Sequence, residues 1–86
     1  MSEYRITFAR SARKELESLG TGIVARIFRE IEDLSRCPRP HNCVKLLGAK
    51  NIWRIRIGAY RVIYSIDDSK KLIDIIAIRH RKDAYR

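Results

Sequence analysis

Residues 53–64 read Trp-Arg-Ile-Arg-Ile-Gly-Ala-Tyr-Arg-Val-Ile-Tyr, a pattern that predicts two strands joined at Gly58-Ala59. Side chains alternate between the two faces of a strand. One face is therefore apolar and carries Trp53, Ile55 and Ile57 from the first strand and Tyr60, Val62 and Tyr64 from the second. The opposite face carries Arg54, Arg56 and Arg61. Cations on neighbouring strands repel one another, so this face suits a polyanion; the alternative is a basic face that only keeps the sheet soluble.

Length and charge indicate one small basic domain. The chain has 86 residues, 45% of them hydrophobic, which is enough for a single domain with its own core over residues 1–86. It has 19 basic and 10 acidic residues, a net charge of +9. Residues 1–43 hold eight basic and six acidic residues, whereas residues 44–86 hold eleven and four. Because the excess lies in the half with the arginine strands, a nucleic acid or another anionic partner is indicated.

Membrane insertion and metal binding are both disfavoured. No stretch approaches the ~20 apolar residues of a membrane span, and residues 1–5 show no apolar signal-peptide segment. We therefore expect a cytoplasmic protein without membrane contact, whose two cysteines stay reduced. Cys37, His41 and Cys43 lie in one loop, but their spacing matches no familiar zinc site and a fourth ligand is missing nearby. We expect these to be ordinary loop residues, with no metal and no small-molecule cofactor.

Hydrophobic periodicity predicts an α+β fold. Residues 3–8 and 71–78 are expected to form the first and last strands, and residues 9–19 and 22–35 two helices. Gly20 is the expected C-terminal cap of the first helix and Thr21 the N-cap of the second, whose apolar face includes Phe28. The predicted order is β-α-α-β-β-β, with an antiparallel-rich four-stranded sheet and the helix hairpin on one face. The last strand is apolar on both faces, so we expect it inside the sheet with the first strand beside it.

The side chains available for catalysis favour one kind of chemistry. Two histidines in distant segments exclude a Ser-His-Asp triad, and the scarcity of carboxylates in the basic half disfavours metal-dependent phosphoryl transfer. Arginines, lysines, His80 and Tyr85 remain. Such a set can cleave RNA, because the ribose 2′-hydroxyl supplies the nucleophile and arginine donates bidentately to phosphate oxygens in the transition state. A tyrosine can stack on a base or move a proton.

Four local sequences and the order of the elements resemble the RelE/ParE toxin superfamily. The sequences are Lys45-Leu46-Leu47-Gly48, Trp53-Arg54-Ile55-Arg56-Ile57, Tyr60-Arg61-Val62-Ile63-Tyr64 and His80-Arg81-Lys82-Asp83-Ala84-Tyr85. The resemblance covers essentially the whole chain. It implies a RelE-like toxin of a type II toxin-antitoxin system, an endoribonuclease that cleaves mRNA in the ribosomal A site by metal-independent 2′-hydroxyl attack. It also implies a cognate antitoxin that neutralises the toxin in a hetero-oligomer.

The resemblance also implies site residues. Arg61 and Arg81 match the residues that contact the reacting phosphate, and Tyr85 matches the C-terminal tyrosine that stacks on or helps to activate the nucleotide. Arg54 and Arg56 stand where the family has two RNA-binding lysines, and this change counts against a general-base role at these positions because arginine rarely gives up its proton. The expected RNA-binding set is completed by Lys45, His80 and Lys82. Two alternatives stay open: inhibition of DNA gyrase, as in the ParE branch, and a non-toxic homologue that only binds an antitoxin.

Overall fold

The computed structural model describes residues 3–82, which form one five-stranded sheet and two helices. In chain order the elements are β1 (Arg5–Phe8), α1 (Arg10–Glu17), α2 (Thr21–Leu34), β2 (Cys43–Lys45), β3 (Ile52–Ile57), β4 (Tyr60–Asp67) and β5 (Leu72–His80). The strand order is β1-β5-β4-β3-β2, with β1 parallel to β5 and every other pair antiparallel. The predicted α+β class and the internal position of the last strand are confirmed.

The sheet has five strands rather than the four predicted. The additional strand, β2, contains only Cys43, Val44 and Lys45 and lies at the edge of the sheet beside β3. Three residues are too few to show the alternation from which a strand is recognised in a sequence. Pairing with β3 forms this strand, so its origin is tertiary rather than local.

The predicted register of the two arginine-bearing strands is confirmed. Ile55 pairs with Val62, and Arg56 pairs with Arg61, across the antiparallel β3–β4 ladder. Since directly opposed residues point to the same side, Arg54, Arg56 and Arg61 share one face of the sheet. We call it the open face; the opposite face, covered by the helices, is the helix face.

The core lies between the helices and the helix face. Its fully buried side chains come from both layers and include Ala12, Ile27, Ile31, Leu34, Ile55, Val62 and Tyr64. Phe28 does not join them: it is 43% exposed and stacks on Phe8 with ring centroids 6.4 Å apart. Phe28 follows Ile27 directly, so the two side chains leave the helix in different directions and only part of the predicted apolar face reaches the sheet. Truncating Phe28 should therefore lower the free energy of unfolding by less than truncating a buried phenylalanine.

The junction between the helices differs from the prediction. Ser18 is the C-cap of α1, and Gly20, with extended φ −66° and ψ 152°, is the N-cap of α2. Thr21 is already inside the helix and makes no side-chain capping bond. A glycine is acceptable at an N-cap, so the chain needs neither a left-handed glycine nor a hydroxyl cap here. Within residues 3–82 no helix is long and apolar enough to span a membrane.

Helix α1 closes the part of β5 that β1 leaves uncovered. β1 pairs only with residues 72–75 of β5. Further along, the backbone N–H of Ile78 donates to Oε1 of Glu15 at 2.9 Å, and the other carboxylate oxygen of Glu15 pairs with Arg79. The Glu15 carboxylate therefore accepts the hydrogen bond that a neighbouring strand would otherwise accept. An unpaired backbone N–H at this partly buried edge would destabilise the fold.

Candidate active site

Three arginines meet at one end of the sheet. The side chains of Arg56, Arg61 and Arg81, together with Gly58 and Ala59, line a small cavity of about 110 Å³, which we call the arginine pocket. Two of the three predicted catalytic residues, Arg61 and Arg81, are thus brought together with one of the predicted RNA-binding arginines. The third predicted catalytic residue, Tyr85, lies outside the described residues.

The arginine pocket is built by strand register and one tight turn. Arg56 and Arg61 are direct cross-strand partners on β3 and β4. Between them Gly58 has φ 60°, a left-handed conformation that glycine adopts without the steric penalty of a side chain. The backbone N–H of Arg81 donates to the carbonyl oxygen of Ala59 at 2.7 Å, which holds the segment after β5 against this turn. The position of Arg81 is therefore set by its backbone, and its side chain is available to the pocket.

Burial strengthens the electrostatics of the pocket. Arg61 is only 7% exposed, and among residues 3–82 it is the one charged side chain that is buried. Its partner on β5, Arg79, forms an ion pair with Glu15, whereas Arg56 and Arg81 are exposed. Charges attract more strongly where water is partly excluded. The pocket thus combines one desolvated guanidinium with two that are solvated, an arrangement suited to a phosphate-sized anion.

The other predicted RNA-binding residues are divided between the two faces. Arg54 is half-buried on the open face, two positions before Arg56 on β3, and lies beside the pocket rather than in it. Lys45 pairs with Trp53, so it points to the helix face, where its Nζ lies 5.9 Å from the centroid of the Trp53 ring. The structure therefore separates Lys45 from the arginines with which the sequence grouped it.

His80 and Lys82 follow the same strand but occupy different surroundings. His80 pairs with Tyr60, and their rings meet edge to face with centroids 5.1 Å apart on the helix face. Nδ1 of His80 accepts the backbone N–H of Lys82 at 3.2 Å, while the side chain of Lys82 is exposed. The histidine ring thus lies across the sheet from Arg61, next to Arg81 in sequence but on the other face.

Asp68 belongs to a hydrogen-bond network at the end of β4 that is far from the pocket. Asp68 accepts hydrogen bonds from Arg39 at 2.9 Å and from the Tyr4 hydroxyl at 2.6 Å, and these bonds hold its pKa below the ordinary value. Burial raises the pKa of Tyr64, whose hydroxyl donates to the carbonyl oxygen of Pro38 at 2.8 Å. Both networks fix the loop between α2 and β2. Neither network includes a residue that lines the arginine pocket.

Metal chemistry has no ligand set in the described part of the chain. Residues 3–82 contain no group of three His, Cys, Asp or Glu side chains arranged to hold a metal ion. Cys37 and Cys43 are both free thiols. The arginine pocket is lined by cations and small residues, which repel a metal ion and attract an anion.

One residue near the pocket was missed by the sequence analysis. The position that a Cβ would take at Gly58 lies 3.4 Å from Nη1 of Arg26, which belongs to α2. In the sequence Arg26 is one of several exposed helix cations. Its approach to the β3–β4 turn arises from the packing of α2 on the sheet, so no local pattern could have indicated it.

Sequence comparison places the chain near known toxins. Residues 6–85 match the family described as "ParE toxin of type II toxin-antitoxin system, parDE". The chain is 32% identical over 84 residues to Toxin RelG of Mycobacterium tuberculosis, and the aligned region covers 96% of this chain and 97% of that protein.

Solved structures agree with the sequence comparison. The archaeal RelE-RelB complex from Pyrococcus horikoshii OT3 contains a chain with a TM-score of 0.83 and 31% identity, over 92% of this chain and 96% of that one. The intact E. coli RelBE toxin-antitoxin complex gives a TM-score of 0.79 at 25% identity, over 90% and 95% of the two chains.

Proposed function

Because the chain belongs to the ParE toxin family of type II toxin-antitoxin systems, within the RelE/ParE superfamily, we propose that it is a ribosome-dependent endoribonuclease. The reaction is cleavage of mRNA in the ribosomal A site, which would take place in the cytoplasm. The arginine pocket carries this proposal, since a cavity of about 110 Å³ lined by three arginines suits one phosphate group. A toxin that only binds a protein target has no need of this constellation.

The proposed reaction needs no metal. The 2′-hydroxyl loses its proton and attacks the adjacent phosphorus, the bond from phosphorus to the 5′-oxygen breaks, and that oxygen takes up a proton. The products are a 2′,3′-cyclic phosphate and a 5′-hydroxyl. Arg61 and Arg81 stabilise the additional negative charge that the phosphoryl oxygens carry in the transition state, where fixed donors are most effective. Arg56 binds the same phosphate, and Arg54 holds the RNA beside it.

Tyr85 completes the proposed site. Its assigned role is to stack on the nucleotide at the cleaved bond or to assist the proton transfer. His80 is not in position to share this work with Arg61, because its ring lies on the helix face. The proton donor and acceptor therefore come from Tyr85, from the RNA, or from the ribosome that presents the mRNA.

The proposed partner is a cognate antitoxin. The similar structures from P. horikoshii and E. coli are complexes of a RelE toxin with RelB. This chain has a net charge of +9, so an acidic or amphipathic antitoxin segment that covers the arginine pocket would neutralise both its charge and its activity. Co-expression of the cognate antitoxin should restore the growth of cells that the toxin alone arrests.

The nuclease proposal is tested with defined ribosome complexes. The chain, made by cell-free synthesis, is added to mRNA alone and to the same mRNA held on ribosomes with an open A site, and cleavage is mapped by primer extension. We expect cleavage within the A-site codon only when ribosomes are present. Intact mRNA in the ribosome complex would overturn the proposal.

Gyrase inhibition is the second candidate, and the match to the ParE description favours it specifically. A gyrase-binding toxin would act through a protein surface and would not depend on a phosphate pocket. The two candidates are separated by adding the chain to gyrase and supercoiled DNA. Gyrase-dependent DNA breaks together with intact ribosome-bound mRNA would establish the second candidate.

A further inference from the structure

A fourth arginine reaches the turn that closes the arginine pocket. The guanidinium of Arg26 lies 3.4 Å, through Nη1, and 3.8 Å, through Cζ, from the position of a Cβ on Gly58. Arg26 is exposed and belongs to α2, which covers the helix face, whereas the pocket contains Arg56 and Arg61 from the open face. Arg26 therefore lies against Gly58 of the β3–β4 turn, and Gly58 and Ala59 of this turn line the pocket.

Aromatic rings lie on the helix side of the same turn. Tyr60 and His80 line a second, open cavity of about 490 Å³, whose other lining residues are Glu15, Ser18, Leu19, Ile78 and Arg79. Both rings are half-buried, so part of each remains accessible. Since Nδ1 of His80 accepts a backbone N–H, its Nε2 is left to donate to a ligand. We call this cavity the Tyr60–His80 cavity.

Adjacent residues at the start of β4 and at the end of β5 alternate between the two sites. Tyr60 and His80 face the Tyr60–His80 cavity, whereas Arg61 and Arg81, the next residues in each case, face the arginine pocket. The side-chain alternation of strands thus separates the two rings from Arg61 and Arg81, while the cation that does line the ring cavity, Arg79, is paired with Glu15. Proteins bind single strands by combining a row of cations along the backbone with aromatic rings that stack on bases.

We propose that single-stranded RNA crosses the β3–β4 turn, so that Arg26 binds a phosphate next to the cleaved one and the Tyr60–His80 cavity receives a base. This path rests on the proposed nuclease function and extends the RNA beyond the arginine pocket. Gly58 allows the Arg26 guanidinium to approach the turn closely, because it presents no side chain. The base in the cavity would be one of those that determine which sequence is cleaved, since stacking and a hydrogen bond from His80 both depend on its identity.

Binding of a non-cleavable RNA tests the contact with Arg26. The probe is a fluorescent 2′-O-methyl RNA of about eight nucleotides, a length typical of single-strand sites, with a dinucleotide for comparison. Arg26→Ala is compared with Arg29→Ala, which removes the same charge from an exposed position of the same helix. We expect Arg26→Ala alone to lower the slope of log Kd against log salt by about 0.7, the value for one phosphate contact on a single strand. The dinucleotide should bind both variants equally, because it fills only the arginine pocket.

A second comparison tests the base. His80→Gln keeps a hydrogen-bond donor but lacks the ring, and His41→Gln is the matched control in the loop before β2. We expect His80→Gln to change the order of affinities for RNAs that differ at one base, and His41→Gln to leave that order as it is. Thermal melting of each variant shows that the fold is retained.

The outcomes distinguish this path from the nuclease proposal. If the wild type cleaves ribosome-bound mRNA but Arg26→Ala and Arg29→Ala weaken binding alike, the path is wrong and the nuclease function stands. If the wild type does not cleave but long RNA binds in an Arg26-dependent manner, the path is supported and the nuclease function fails. A wild type that neither cleaves nor binds the long RNA overturns both.

Discussion

Replacing Arg81 with alanine tests the arginine pocket with little disturbance of the fold. The side chain of Arg81 is exposed and lines the pocket. Its backbone N–H, which donates to the carbonyl oxygen of Ala59 at 2.7 Å, is retained in the alanine variant. The substitution should therefore keep the turn and remove only the guanidinium.

The expected loss follows from the number of donors that remain. One donor aimed at transition-state charge typically contributes about 100- to 1000-fold to the rate. Because Arg56 and Arg61 still line the pocket in the variant, we expect the lower end of this range. That is a loss of about 100-fold in the cleavage step, or about 2.7 kcal/mol of transition-state stabilisation.

The assay is single-turnover cleavage of mRNA in the A site of stalled ribosomes, with the toxin in saturating excess. Under these conditions the rate reports the chemical step rather than binding. Lys50→Ala is the control, because Lys50 is an exposed cation in the turn before β3, at the other end of that strand from the pocket. Equal rates for Arg81→Ala and Lys50→Ala would refute the assignment of Arg81 to the reacting phosphate.

Three further predictions concern the edge of the sheet, a titrating carboxyl and the tail. Glu15→Ala should lower the free energy of unfolding in urea by about 1–3 kcal/mol, because a backbone N–H loses its acceptor; Glu17→Ala, which loses only an exposed ion pair, should lower it by about 0.5 kcal/mol or less. Arg39 holds the pKa of Asp68 below its ordinary value, so the ionised carboxylate contributes its full stabilisation above about pH 4. This contribution is lost as the pH falls through the lowered pKa, so the difference in melting temperature between the wild type and Asp68→Asn should disappear at the acidic end of the titration. Tyr85→Phe keeps stacking and should cleave about 10-fold or more faster than Tyr85→Ala; equal rates would assign the role to the hydroxyl.

The open face could be predicted from the sequence because alternation in β3 and β4 is uninterrupted. Arg54, Arg56 and Arg61 can only share a face if the apolar residues between them share the other, and the observed register agrees. The position of β5 inside the sheet was likewise visible, since its residues are apolar on both faces.

Other features depend on contacts that no local pattern contains. Lys45 belongs to a strand of three residues, so its face is decided by pairing with Trp53 and not by its own segment. The closeness of Arg26 to Gly58 depends on where α2 lies over the sheet. Resemblance grouped His80 with the arginines because it precedes Arg81, yet successive residues at the end of a strand point in opposite directions.

The pairing of β5 with β4 governs when the pocket can form during synthesis, because Arg61 lies opposite Arg79 and Arg81 follows two residues later. β5 lies between β1 and β4, and Arg81 follows β5 directly. A nascent chain that has emerged only as far as β4 has Arg56 and Arg61 but neither the neighbouring strand β5 nor the third arginine. The β4–β5 hairpin can pair only after β5 has left the ribosome, so the pocket is completed at the end of synthesis. Under the nuclease function proposed above, a ribosome still translating β5 would not meet a completed arginine pocket, and an antitoxin already present would have that interval in which to bind the new chain.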